Sequence, residues 1–427
     1  MSAAFGLIDL TPLRASRGFR LLYAARAASF LAFGILGVAV SVQMYTLTES
    51  SLQVALLNAA VAAPLALALI VGGWLADRFD RRAVMVWSRG VHLLASLILA
   101  GNAARAEPGI GPIYAAAVVG GATFGFGMPA MMAVTPVLVG RAHLAGAAAL
   151  TAVAAQIGAI AGPFLAGAIT ARAGLTASYG VVAALSALPP VFLALLPPLP
   201  PAASPSGEAA APAGAAEGWR FLAASPLVLG LLLIDLVALV LAVPYVLLPE
   251  FAAQDLGSGI DGIGLLYAAP SVGALIGALG SGRAGASPHA GRWLLVCVAV
   301  WALACLGLGL SRGLAEALLC LALLGAAASL AGILRAALIQ RATPDAVLGR
   351  VSSLWVLEES IGPALGGMQA GATAHWTSPR FAMVAGGGLA LLGTAAFAGL
   401  VPSLRRASLA PETVAAPGAA LVSADAR

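Results

Sequence analysis

Twelve apolar runs, each long enough to cross the hydrocarbon core of a bilayer, follow one another from residue 22 to residue 401. Such a crossing takes about 20 mostly apolar residues as a helix. The runs lie near 22–46, 53–76, 83–102, 112–134, 145–170 and 176–198, then near 226–249, 262–282, 292–311, 314–337, 351–373 and 380–401. Only 9% of the 427 residues are charged, where a water-soluble domain carries about 25%, so a soluble globular enzyme is excluded. All 22 basic residues are arginine. Without lysine there is no phosphate loop ending in Gly-Lys and no lysine Schiff base. The net charge of +5 comes from arginines spread between apolar runs, which reads as a topology signal and gives no nucleic-acid partner.

Counting those arginines orients the chain. With both termini inside, sixteen fall on the cytoplasmic side (Arg14, Arg17, Arg20, Arg78, Arg81, Arg82, Arg141, Arg220, Arg283, Arg292, Arg335, Arg341, Arg350, Arg405, Arg406 and Arg427). Four fall outside, at Arg105, Arg172, Arg312 and Arg380, and Arg26 and Arg89 lie within runs. The excess sets both termini on the cytoplasmic side of the lipid bilayer. The N-terminal stretch has no early apolar core or small-residue cleavage site, so no removed signal peptide is expected. Cys297, Cys305 and Cys320 sit within apolar runs as small packing residues.

The pattern divides into a cytoplasmic segment 1–20, a six-helix bundle 21–198, a Pro/Ala-rich cytoplasmic linker 199–225, a second bundle 226–401 and a cytoplasmic tail 402–427. The linker has too little large apolar content to pack and is expected to be flexible. Short signatures recur between the bundles at offsets near 200 residues. Gly73 to Arg78 is echoed by Gly277 to Arg283, Thr135-Pro136 by Thr343-Pro344, and Gly162-Pro163 by Gly362-Pro363. Parallel six-helix repeats of this kind hold their substrate near the midplane between the halves.

Two segments carry a family likeness. Gly72-Gly73-Trp74-Leu75-Ala76-Asp77-Arg78-Phe79-Asp80-Arg81-Arg82 resembles the loop 2–3 signature of the major facilitator superfamily, with Asp80 in place of its usual Gly. Small residues such as Gly73 let a helix approach its neighbour. Asp77, with Arg78, Arg81 and Arg82 beside it, is placed to make a charge-assisted contact with a helix end or an arginine, a conformational latch. Gly158, Gly162, Pro163 and Gly167 in the fifth run resemble the signature of the antiporter branch of that superfamily. Glycines four apart give a flat helix face, Pro163 bends the helix, and tight packing at its outer end would resist proton leakage. Further segments, among them Arg20 to Arg26, Gly34 to Val40, Trp219 to Pro226, Gly264 to Ala269, Ile276 to Gly282 and Leu348 to Trp355, are similar to the enterobactin exporters of enteric bacteria over nearly the whole chain. The resemblance implies an all-α integral membrane protein with twelve transmembrane helices in two pseudo-symmetric six-helix bundles, the major facilitator fold. It also implies siderophore export across the bacterial inner membrane, driven by protons.

Charges inside membrane spans are expensive and mark function. Asp235, about 14 Å into the seventh run at about 1.5 Å per residue, is the first candidate for proton coupling. Glu358 and Glu359 in the eleventh run are next; adjacent on a helix, they point about 100° apart and are not expected to face one cavity. One of them is expected to pair with Arg26 or Arg335. Arg26 and Arg89 are close enough to the cytoplasmic ends to snorkel. His92 is read as a buried hydrogen-bonded residue, with proton relay as the alternative, and His143, His289 and His375 as loop or helix-end residues. No metal-ligand spacing, cofactor motif or Ser-His-Asp constellation is legible, so the chain reads as a non-enzyme with the proton gradient as its energy source.

These observations favour a monomeric exporter of an enterobactin-like siderophore or related amphipathic metabolite by proton antiport. A multidrug efflux pump of the same superfamily is the alternative, and a non-transporting membrane scaffold is disfavoured by the charges within spans. The orientation is tested with fusions: alkaline phosphatase joined within the 199–225 linker or at the C-terminus is expected to be inactive, and joined near Arg105 to be active. Activity at the linker would overturn the topology.

Overall fold

The computed structural model describes residues 9–200, 215–282 and 287–410. The expected N-terminal segment up to residue 8, linker residues 201–214, Arg283 and the tail from 411, with Arg427, lie outside the described residues.

After the short α1 (Thr11–Ala15) come α2 (Arg17–Thr48), α3 (Ser51–Arg78), α4 (Arg81–Ala103), α5 (Ile110–Val139) and α6 (Leu144–Ala194). The connection α7 (Ala215–Ala224) leads to α8 (Pro226–Leu241), α9 (Leu248–Gln254), α10 (Ile260–Gly280), α11 (Ala290–Leu310), α12 (Leu314–Ala342), α13 (Asp345–Trp376), α14 (Pro379–Leu400) and α15 (Pro402–Arg406). Ten helical segments among the described residues are long and apolar enough to cross a membrane, α8 with α9 counting as one. Tight connections turn each helix back on the last, so the start of α2 and the ends of α3, α5, α12 and α14 share one face, here the near face. The ends of α2, α9 and α13 lie on the far face.

The fifth and sixth runs are continuous in hydrogen bonding as α6, 51 residues long, and the helix breaks between them, as expected, at Gly174, whose φ of 81° is in the left-handed region open to glycine. Two expectations are corrected. The seventh run is not one helix. Pro244 has no N–H and disrupts the preceding turn, so α8 stops at Leu241, a 3-10 turn spans Tyr245–Leu247, and α9 resumes. The freed carbonyls are satisfied from the side: Trp301 Nε1 donates to Ala242 O at 2.9 Å and Tyr267 OH to Tyr245 O at 2.8 Å. The linker, expected to be flexible throughout, contains helix α7 with Leu222 buried. The eleventh run forms α13, a 32-residue helix that falls outside the ten because Asp345, Arg350, Glu358 and Glu359 interrupt it.

Helices α2 to α6 pack as one bundle and α8 to α14 as a second, with α3 set on α13 and α6 on α10 across the interface. Glycine allows these close approaches. A Cβ on Gly162 would lie 2.6 Å from Gly34 Cα of α2, and one on Gly264 of α10 would lie 2.8 Å from Gly167 Cα. The glycine stripe of the fifth run therefore serves two partners, α2 within its bundle and α10 across the interface. Gly73 meets open space, and its neighbour Gly72 makes the expected approach, against the backbone of Gly125 and Phe126. Cys297 and Cys305 are buried and unbridged, and Cys320 is partly exposed.

Candidate functional site

The two bundles touch most closely towards the far face. Ser51 begins α3, and its free N–H and hydroxyl both reach Glu250 Oε2 from α9 of the other bundle, the N–H at 3.1 Å. A carboxylate there satisfies an orphan donor and favours the helix N-terminus. Gln254 Nε2 donates to Tyr45 OH at 3.2 Å; nearer the middle of the helices, Gln156 Nε2 donates to Ser271 O at 2.5 Å. Nothing in the sequence singled out Glu250, because at the end of a span it looks like any interfacial acid.

Below this seal lie two adjoining cavities of about 700 and 570 Å³ that share Phe33, Phe124, Met128 and Met132. The first reaches across to Val356 and Ser360 of α13. The second runs down to Pro136 and Leu144, the near-face ends of α5 and α6.

The α2–α6 bundle supplies cations to this space. Arg26 Nη2 donates to Met131 O at 2.7 Å and Thr135 Oγ1 at 2.9 Å, and Nη1 to Thr151 Oγ1 at 3.2 Å. Arg89 is buried, with its guanidinium 5.6 Å from the ring centroid of Phe33 and 5.5 Å from that of Phe124. Neither arginine snorkels; each bends into its bundle, where neutral acceptors and ring faces are nearer than the interface. Hydrogen bonding was expected of His92, but both ring nitrogens are buried without a hydrogen-bond partner, and the ring packs on Phe33 at 4.9 Å. Phe33 and Phe124 lie far from Arg89 in sequence, so no spacing could have revealed the cage.

The opposite bundle supplies anions. Arg335 of α12, counted above as a cytoplasmic-side arginine, is 3% exposed inside the bundle and leaves that count. It forms ion pairs with Asp235 of α8 and Glu359 of α13. Trp355 lies under the guanidinium at 5.4 Å and donates from Nε1 to Glu359 at 3.2 Å. Glu358 also acts electrostatically on Arg335. The adjacent glutamates, expected not to face one cavity, thus both act on one cation. Asp235 is 2% exposed, whereas the Glu359 side chain is half exposed, on the face of α13 that carries Val356 and Ser360 into the cavity wall. The expected pairing of a glutamate with Arg335 is found, and that with Arg26 is not.

Asp77 is exposed at the near-face end of α3 and makes no ion pair or hydrogen bond among the described residues. Its neighbours hold the loop. Asp80 Oδ1 accepts from Arg82 N at 2.8 Å and Leu199 N at 3.2 Å, Arg81 N donates to Leu199 O at 3.0 Å, and Arg82 Nη2 donates to Ala194 O at 2.5 Å. Arg78 stacks on Trp74 at 5.5 Å. Asp80, standing where the signature has Gly, caps α4.

Two helical bundles around a cavity, sealed at one end and lined by charges that lipid could not solvate, define a multi-pass membrane transporter of the major facilitator fold. Within that class the chain belongs to the transmembrane secretion effector family, which matches residues 8–423. It is 35% identical over 388 residues to the enterobactin exporter EntS of Citrobacter koseri, covering 91% of this chain and 92% of that one. It is also 35% identical over 414 residues to the enterobactin exporter EntS of Escherichia coli O6:K15:H31, covering 96% and 98%. The crystal structure of a POT family transporter in complex with 5-aminolevulinic acid shares the fold, with a TM-score of 0.73 at 11% identity over 91% of this chain and 97% of that one.

Removing one member of a buried ion pair costs on the order of 3–5 kcal/mol, whereas replacing both with apolar residues is often neutral. Arg335→Leu is therefore expected to lower the thermal stability of the detergent-solubilised protein sharply, and Asp235→Leu/Arg335→Leu to recover most of the loss. Thermal unfolding checks this; a double variant no more stable than the single one would show that the pair is not the electrostatic unit.

Proposed function

We propose that the chain exports an enterobactin-type siderophore or related amphipathic metabolite across the bacterial inner membrane in exchange for protons, with both termini cytoplasmic and twelve crossings. The observation that carries this reading is the similarity to enterobactin exporters along more than nine-tenths of both chains. On this reading the near face is cytoplasmic and the structure is the inward-open state. The twelve crossings follow from counting α6 as two spans about Gly174 and adding α13. Both cavity walls come from one chain, so the monomer, with its two bundles at 21–198 and 226–401, is the transport unit. The chain is a carrier, not an enzyme, and uses the proton gradient in place of a cofactor.

Asp235, Glu358 and Glu359 are the coupling candidates, and Glu359 is the most exposed of the three. A proton on Glu359 removes the charge that ties α13 to Arg335 on α12. Because α13 packs on α3 across the interface, that release is felt where the bundles must move. An elementary charge moved through 100 mV is worth about 2.3 kcal/mol, enough to bias two states that differ by a similar amount. Asp77, without a partner in this state, is free to engage an α8–α14 helix end when the near face closes. Gly158, Gly162, Pro163 and Gly167 keep the far end dry while it is open to the cytoplasm. Met128, Met131 and Met132 give the cavity adaptable apolar walls, which favours the multidrug reading as the second choice.

In proteoliposomes with the cytoplasmic face outward, an acidic interior is expected to drive accumulation of iron-free enterobactin. Glu359→Gln should transport at the same rate with and without the gradient. Gradient-independent transport by the wild-type protein would remove proton antiport, and transport of lipophilic cations but not enterobactin would favour multidrug efflux.

A further inference from the structure

Among the described residues, two arginines in the cavity wall have no carboxylate beside them. Arg89 is 5% exposed, its Nη2 lies 3.2 Å from Met131 Sδ, and its Nε has no hydrogen-bond partner. Arg26 bonds only to the Met131 carbonyl and the hydroxyls of Thr135 and Thr151. The two guanidiniums act on each other as like charges. Elsewhere the fold treats buried or half-buried arginines differently: Arg335 holds Asp235 and Glu359, and Arg380 holds Asp255 at 2.5 Å. A buried ion without a counterion costs several kcal/mol, and a ring face returns only about 0.5–2 kcal/mol. The wall is thus charged in advance of an anion.

The surroundings define which anion. Phe33 and Phe124 meet edge to face at 5.1 Å and 78°, and with Met128 and Met132 they leave an apolar wall beside the guanidiniums in a cavity of about 570 Å³. Such a wall suits an aromatic ring, and a guanidinium fork suits paired oxygens. The α13 wall opposes it, because Asp235, Glu358 and Glu359 share Arg335 and leave that side net negative. An anion is pushed away from α13 and towards Arg26 and Arg89.

We propose that Arg89 and Arg26 form an anion subsite that holds a negatively charged aryl group of the substrate, a carboxylate or ionised phenol carried on an aromatic ring. The proposal deepens the transport reading, since it takes this cavity as the substrate's.

The test uses the purified full-length protein in detergent and two fluorescent probes of equal shape, 1-naphthoate and neutral 1-naphthamide. Wild-type protein is expected to bind naphthoate about tenfold tighter or more, a difference of about 1.4 kcal/mol or more. Arg89→Gln and Arg26→Gln should each abolish that preference, read as the ratio of the two affinities measured on the same variant, and Arg89→Lys should retain part of it. Gel filtration and helical circular dichroism verify folding; if Arg89→Gln aggregates, the half-buried Arg26 decides through Arg26→Gln. Equal affinity of the wild type for both probes, or an undiminished preference in well-folded Arg26→Gln, would overturn the proposal. Neither probe is a siderophore, so a failure to transport enterobactin would sink the siderophore reading and leave this result standing.

Discussion

A cation removed from water must be answered by the anions the fold brings to it, and Arg335 is answered from two other helices at once. Asp235 reaches it from α8 and Glu359 from α13, with the Trp355 ring closing its face. Hydrocarbon makes this arrangement binding: a side chain that loses its counterion here cannot fall back on solvent as a surface residue does. Helices that otherwise meet through interchangeable apolar contacts are thereby fixed in one register. One of them, α13, is also the helix that α3 packs against across the two bundles. A charge change at Glu359 is therefore positioned to alter the relation between the halves, which is why the proposed coupling centres on it.

The rest of the cavity follows from the same constraint. Cations sit on the α2–α6 side, caged by Phe33 and Phe124 or bonded to threonine hydroxyls, and carboxylates sit on the α8–α14 side. The field across the space is directional. At the far end, where nothing should pass in this conformation, the walls lose side chains altogether: Gly167 and Gly264 bring α6 and α10 backbone to backbone, and Glu250 pins the start of α3. Close approach there is a matter of missing Cβ atoms, whereas width in the cavity is a matter of methionine and phenylalanine.

What the sequence revealed and what it hid divide along physical lines. The spans were legible because a bilayer demands apolar length, and Asp235 and Glu359 because charge in such a run is costly. The break at Gly174 was legible as a gap between the fifth and sixth runs, where Arg172 interrupts the apolar stretch. The one at Pro244 was hidden because its replacement hydrogen bonds come from Trp301 and Tyr267, distant in sequence. The glycine stripe announced a close partner but not its identity; Gly34 and Gly264 are placed by topology. Asp77 carried the family signature, yet in this conformation Asp80 makes the contacts, since a latch between moving halves is engaged in only one state. Arg335 was scored as a topology arginine because its depth depends on where α12 ends, which hydropathy fixes only to within a turn or two.

On the proposed function, the charge on Glu359 sets the balance between conformations. Spin labels at cysteines introduced at Phe79 and Leu279, exposed near the near-face ends of α3 and α10, in a chain with Cys297, Cys305 and Cys320 replaced, report the opening of that face by pulsed electron resonance. Lowering the pH should shift the distance distribution, and Glu359→Gln should hold the low-pH distribution at every pH. A Glu359→Gln protein whose distances still follow pH as the parent's do would contradict the account.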